Sequence, residues 1–259
     1  VLALSEARDV LEEGKTIEAR MEAIEANRLS PDLVPAAVMA ARAYIADGKQ
    51  KNAARVLKKT WESQPHPDLA TAFAEIEPKE SARDRVKRFE ALTKVSPDNP
   101  ETKMLLAELL IAAEDFPGAR RAMGDLAETA PTARALSIMA AIERGVGADD
   151  AVVRGWLARA VTAPRGPQWV CDNCQSIASE WGPVCTNCHA FDTLSWRDAP
   201  TNAEPTIPSG AAMLPLIVGS PAATGADAPP EKPDAEKDRD GTILEGTAEP
   251  SLETMDVRK

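Results

Sequence analysis

One spacing limits what this chain can fold into more than any other feature: a step of 34 residues. Gly14 and Gly48, Ala19 and Ala53, and Pro31 and Pro65 are each 34 residues apart. Ala53 to Ala119 and Pro65 to Pro131 are each 66, close to two further steps. Small residues and prolines returning in phase at this period mark a stack of helical hairpins, none of which can bury its apolar face alone. The local chemistry agrees. Ala41 and Ala107 fall where the first helix of a hairpin must approach its partner closely, and Tyr44 and Leu110 follow three residues later on the same face. Gly48 suits a turn at positive φ. Ala53 and Ala119 fall where the second helix meets the first. Pro65, Pro97 and Pro131 end the second helices, because proline cannot continue a helix.

A period near 34 with helix–turn–helix chemistry is the tetratricopeptide signature. The expected fold is therefore all-α, a tetratricopeptide helical-hairpin solenoid over residues 1–165. Five units can be drawn, at 1–31, 34–65, 68–97, 98–131 and 132–163. The second and fourth are clean. The third is interrupted by Pro78 and has Arg85 where alanine is expected. The first begins inside its first helix, which implies that the native protein extends upstream. A non-repeating helical bundle with fortuitous alanines is the alternative. Arrays of this kind hold partner segments in a groove lined by the first helices. In this register Val38, Arg42, Ile45, Met104, Glu108 and Ile111 face the groove, unless several of them are ordinary packing between repeats. A mixed apolar and charged lining suits a protein segment better than a small metabolite.

The second constraint lies in residues 166–198. All four cysteines of the chain are there, as Cys171-x-x-Cys174 and Cys185-x-x-Cys188, with ten residues between the pairs. Each pair can form a tight turn that points two thiolates at one ion, and ten residues allow a hairpin that folds one turn onto the other. Trp169, Trp181, Trp196 and Phe191 share the segment. A metal plus large rings is how so small a segment becomes ordered. Thiolate-only tetrahedral sites take Zn²⁺ or a single iron. Rubredoxin-type iron sites usually place glycine just after the second cysteine of each pair, where this chain has Gln175 and His189, which favours zinc over iron. Four thiolates close the site, so its role is structural. The short link predicts that this knot packs directly on the last helical pair, against Trp156.

Other readings of the cysteines are weaker. Two disulfides fit a secreted protein, but the paired short spacing favours a reducing compartment. Cys185-Thr-Asn-Cys188-His189 matches a c-type haem attachment pattern, yet it would leave Cys171 and Cys174 without a role. A redox C-x-x-C lacks a surrounding strand–helix pattern.

The remaining sequence mainly excludes. A net charge of −11 argues against a general nucleic-acid binder, and Asp172, Glu180, Asp192 and Asp198 make the cysteine segment itself acidic against Arg197. No apolar run is long enough to span a bilayer. There is no phosphate-binding loop, no dinucleotide turn and no triad with a spare histidine. His66, between Pro65 and Pro67, reads as a solvated turn residue. Residues 199–259 are rich in Pro, Ala, Thr, Asp and Glu and read as a disordered acidic tail. Ala211 to Val218 is a small apolar island in that tail, a chance cluster or a docking peptide.

Helical repeats followed by Trp169-Val170-Cys171-Asp172-Asn173-Cys174, then Cys185-x-x-Cys188 and Phe191-Asp192-Thr193-Leu194-Ser195-Trp196, resemble the C-terminal half of alphaproteobacterial HemY-type tetratricopeptide proteins. The resemblance covers about residues 1–198. It implies an inner-membrane protein whose N-terminal spanning helices are absent from this chain, with its repeats on the cytoplasmic face. It also implies a non-catalytic scaffold linked to haem (protoporphyrin) biosynthesis, with pathway enzymes or membrane-complex subunits as partners. The chain is also similar to LapB, a lipopolysaccharide assembly protein that joins such repeats to a rubredoxin-like module. Transferred residue by residue, the metal falls on Cys171, Cys174, Cys185 and Cys188. A haem- or porphyrin-handling protein using Cys185 and His189 is the expectation from a different class.

Overall fold

Proline and small polar residues set the helix boundaries. His66, Ser81, Asn99, Asp115, Thr132 and Asp149 each accept a hydrogen bond from a backbone N–H of the first turn that follows. These bonds satisfy donors that a helix start leaves open. Eleven helices result among the described residues, in pairs. The pairs are α1 (Leu2–Glu12) with α2 (Thr16–Leu29), α3 (Val34–Ala46) with α4 (Gln50–Ser63), and α5 (Pro67–Ala74) with α6 (Ala82–Thr93). Then come α7 (Pro100–Ala112) with α8 (Phe116–Met123) and the short α9 (Leu126–Thr129), and α10 (Ala133–Gly145) with α11 (Asp150–Thr162).

This is a computed structural model, and it describes residues 1–12 and 16–200, without the side chains of 8–12 and 16. The described residues lie in one unit, Val1–Ser220. Gly14, the island Ala211 to Val218 and the acidic tail beyond residue 200 lie outside the described residues.

The alanines sit where the period puts them. Ala41, Ala53, Ala107 and Ala119 are all 0% exposed, so the paired helices touch through their smallest side chains. Around Ala41 and Ala53 a first core gathers Leu57, Trp61, Leu69, Phe73, Phe89 and Leu92. Phe73 and Phe89 meet edge to face with centroids 4.9 Å apart. Around Ala107 and Ala119 a second core gathers Met104, Met123, Leu136, Ile138 and Ile142. Each large apolar side chain so buried contributes ~1.5–3 kcal/mol before chain entropy is subtracted.

The turns are less uniform than the sequence suggests. Gly48 and Gly147 take φ of 71° and 77° after α3 and α10, but after α7 the same left-handed place is filled by Glu114 at 61°. The fourth unit, clean in sequence, has its second helix broken at Gly124 (φ 53°) into α8 and α9. Glycine is a poor residue in a helix interior and tolerates that backbone best.

After α11 the chain forms a three-stranded antiparallel sheet. Strand β1 (Pro167–Cys171) is central, between β2 (Ile177–Ala178) and β3 (Leu194–Asp198). The register pairs Trp169 with Trp196 and Cys171 with Leu194. This cysteine module does not pack on Trp156, contrary to the sequence expectation. Trp156 lies against the second core and carries Arg159 over its ring, 4.6 Å from the centroid. The module instead crosses to the N-terminal ends of earlier first helices. The Ala133 N–H at the start of α10 donates to the Pro164 carbonyl at 2.8 Å. From there the module reaches His66 at the start of α5, Leu33, Ala36 and Met39 at α3, and Leu4 of α1. The link is as short as it looked. What the sequence could not show is that the starts of α10, α5, α3 and α1 lie along one path.

Candidate metal centre

Each cysteine pair makes the same turn. The Gln175 N–H donates to the Cys171 carbonyl at 2.8 Å, and the His189 N–H to the Cys185 carbonyl at 2.9 Å. The Cys171 N–H reaches the Ser176 carbonyl and the Cys185 N–H the Ala190 carbonyl, both at 2.9 Å. Closing this turn needs a left-handed residue after the second cysteine, and Gln175 and His189 supply it at φ 61° and 58°. The missing glycines, which in sequence spoke for zinc, therefore do not separate the metals: the glycine-like backbone is present without the glycine.

The two turns face each other. The Sγ atoms of Cys171, Cys174, Cys185 and Cys188 all lie within 4.8 Å of one another. Cys171 and Cys188 are 3.7 Å apart, and Cys174 and Cys185 3.8 Å. Four sulfurs bound at ~2.3 Å to a tetrahedral ion stand about 3.8 Å from each other, so this cluster has the right size for one. None of the four is in a disulfide. Cys171 and Cys185 are buried, and Cys174 and Cys188 half-buried.

Polar neighbours favour thiolate at Cys174 and Cys185, whereas at Cys188 Asn173 lowers the pKa but the crowding of Cys174 and Cys171 leaves it raised. Asn173 Nδ2 donates to Cys188 Sγ at 3.4 Å, and Asn187 Nδ2 to Cys174 Sγ at 3.5 Å. Each asparagine thus braces the opposite turn. The Ser176 hydroxyl lies 3.1 Å from Cys174 Sγ and 3.5 Å from Cys185 Sγ, and the Thr193 hydroxyl 3.2 Å from Cys171 Sγ. Ser176 first, then Asn187, holds the Cys174 thiol well below its usual range, at about 5. Ser176 also leads the lowering at Cys185. The sequence alone assigns none of these four residues a role at the sulfurs. The visible signal was the asparagine that directly precedes the second cysteine of both pairs.

His189 is exposed and stands outside the group of converging ligand atoms. Cys185 and Cys188 each have a sulfur of the first pair as neighbour, so no separate attachment pair for haem is set apart.

His66 corrects a second expectation. It is 1% exposed, not solvated. Its ring packs against Trp196 and Trp169, with centroids at 4.1 and 5.3 Å, and the two indoles also meet each other at 5.3 Å. Nδ1 accepts the Asp68 N–H at 3.0 Å, which puts the proton on Nε2, and Nε2 has no partner. Burial, then the nearby charge of Arg134, pushes its pKa down to about 3.

The six groove residues divide. Val38 and Met104 are each 7% exposed and belong to the first and second cores; for them, packing between helices is what the structure shows. Ile45 and Ile111 pack partly buried against those same cores. Arg42 is exposed and forms a bidentate pair with Glu75 at 2.7–3.2 Å. Glu108 joins Glu101 in binding Arg134, at 2.7–2.8 Å throughout.

A tetratricopeptide-repeat family profile matches residues 86–142. The helical array has the tetratricopeptide fold. A curated relative, the probable magnetosome protein Mms48 of Magnetospirillum gryphiswaldense, is 28% identical over 210 residues, 78% of this chain and 47% of that protein. The chain thus spans about half the length of the curated relative it matches. A solved tetratricopeptide repeat protein from Parabacteroides merdae is similar at 16% identity, over 62% of this chain and 70% of that one, with a TM-score of 0.33. That superposition is too loose to bear on how the hairpins are arranged. Among the described residues, no helix is long and apolar enough to cross a membrane.

Proposed function

We propose that this chain is a non-catalytic scaffold that holds other proteins on its tetratricopeptide array and carries a structural metal ion on Cys171, Cys174, Cys185 and Cys188. The observation that carries this is four sulfurs converging at the spacing of one tetrahedral ion, beside a fold whose general use is to bind protein segments. The ion completes a closed set of ligands and leaves no position for substrate. Zn²⁺ is the first assignment, since a structural role needs no redox chemistry, and iron in the same sulfurs is the alternative. The functional segments are 1–165 for the array, 166–198 for the metal module and 199–259 for an acidic tail.

The finer setting follows the sequence resemblance. It assigns the scaffold to the HemY type, at the cytoplasmic face of an inner membrane, with haem-pathway enzymes or membrane-complex subunits as partners. A LapB-like role in lipopolysaccharide assembly is the alternative. The relative's name offers a magnetosome as another setting for the same kind of scaffold. Of the groove positions, Arg42 is the exposed one and the first to test.

Two measurements decide the matter. Cys171→Ser is expected to lose the ion and to disorder 166–198 while most of the helical circular dichroism remains. Full metal content in that variant would overturn the ligand assignment. Crosslinking from native membranes should recover haem-pathway proteins, and a consistent set from another process would reassign the scaffold.

A further inference from the structure

The metal centre and the contact that docks it are built from the same strands. Trp169 lies two residues before Cys171 on β1, and Trp196 faces it in register on β3. Strands of five, two and five residues bury too little apolar surface to stay paired alone. On the array side the contact centres on His66, which is 1% exposed with its ring against both tryptophans. Leaving its Nε2–H buried and unpaired costs ~1–3 kcal/mol. A serine or asparagine would cap α5 without that cost. What the imidazole adds over those caps is a ring in the aromatic cluster.

We propose that His66 is a positioning residue of the metal centre, whose ring, packed against the touching pair Trp169 and Trp196, keeps β1 and β3 paired and so tightens metal binding by the four cysteines without touching the ion. The proposal rests on the metal assignment above. Coupling of this kind is reciprocal. Loading the cysteines strengthens docking on the array, and stripping the ion loosens it and uncovers Leu33, Ala36 and Met39 of the array's second hairpin.

The test uses the full chain and two substitutions that separate the ring from the cap. His66→Asn keeps a side-chain acceptor for the Asp68 N–H and removes the ring. His66→Phe keeps a ring and removes the acceptor. In competition with a chromophoric chelator, His66→Asn is expected to hold Zn²⁺ ~10-fold or more weakly, the scale of losses outside the ligand shell. Its Co²⁺ derivative should show shifted thiolate charge-transfer bands. His66→Phe should stay close to the unsubstituted chain in both readouts. Equal Zn²⁺ affinity in His66→Asn and the unsubstituted chain overturns the proposal. So does a His66→Phe variant as weak as His66→Asn, since the cap and not the ring would then matter. An unsubstituted chain that takes up no ion is a different failure: it removes the metal centre itself.

Discussion

At the scale of single residues, the cysteine turns hold a conformation that their sequence does not favour. Gln175 and His189 sit near φ 60°, where a side chain costs roughly 1 kcal/mol relative to glycine. Gln175→Gly and His189→Gly should each stabilise the metal-loaded chain by about 0.5–1 kcal/mol in urea unfolding. No gain, or a loss, would mean that the side chains repay the strain; Gln175 Oε1 does accept from Arg197 at 2.8 Å. Asn173→Ala and Asn187→Ala remove the donors that cross between turns. Each is expected to weaken metal binding ~10-fold or more, measured by chelator competition. His66 imposes a pH dependence. Its folded pKa of about 3 lies below the ordinary 6.5, so between those values the unfolded chain takes a proton that the folded chain refuses. Its contribution is complete above about pH 6.5 and falls as pH drops toward 3, by up to ~1.4 kcal/mol per pH unit. Urea midpoints measured from pH 7 to 4 should show that slope, and His66→Phe should lack it.

At the scale of elements, the helix pairs were legible because their rules are local. Pro65, Ala53 and Gly48 each act on the turn they occupy, and the same rules recur one period on. The cysteine turns were legible for the same reason, since a C-x-x-C pair closes on itself. What stayed hidden depends on partners far along the chain. Pro65-His66-Pro67 reads as a loop unless the two tryptophans a hundred residues later are known to cover it. That Arg134 of the next hairpin binds Glu108 was hidden in the same way, because nothing local announces it. That ion group joins α7 to α10 and is a sensitive point. Glu101 and Glu108 have side chains 14% and 9% exposed, with Arg134 at 26%. Burial raises the pKa of Glu101, and Arg134 opposes that rise. Arg134→Met leaves two carboxylates close together with no counter-charge. It is expected to cost about 2–4 kcal/mol of stability in chemical denaturation, on the scale of breaking a buried pair. A cost below 0.5 kcal/mol would place the group with ordinary surface pairs.

At the scale of the whole molecule, removing the ion should divide the structure unequally. The sheet has little apolar surface of its own, whereas the helices keep two cores rich in leucine, methionine and aromatic rings. Chelation should therefore leave most of the far-ultraviolet helical signal and change the tryptophan emission, through Trp169, Trp181 and Trp196. Loss of the helical signal in step with the metal would show that the array depends on its module far more than its cores suggest.

The path of the module from α10 back to α1 has one more consequence. In an open row of repeats each hairpin answers only to its neighbours, and the terminal ones fray first. Here the last segment of the described chain lies on the first helices, so both ends of the row share a clasp. Hydrogen exchange at α1 should then slow when the cysteines are loaded, although they follow it by more than 150 residues. A loaded array should then unfold with the cooperativity of a closed loop, its fastening the four sulfurs.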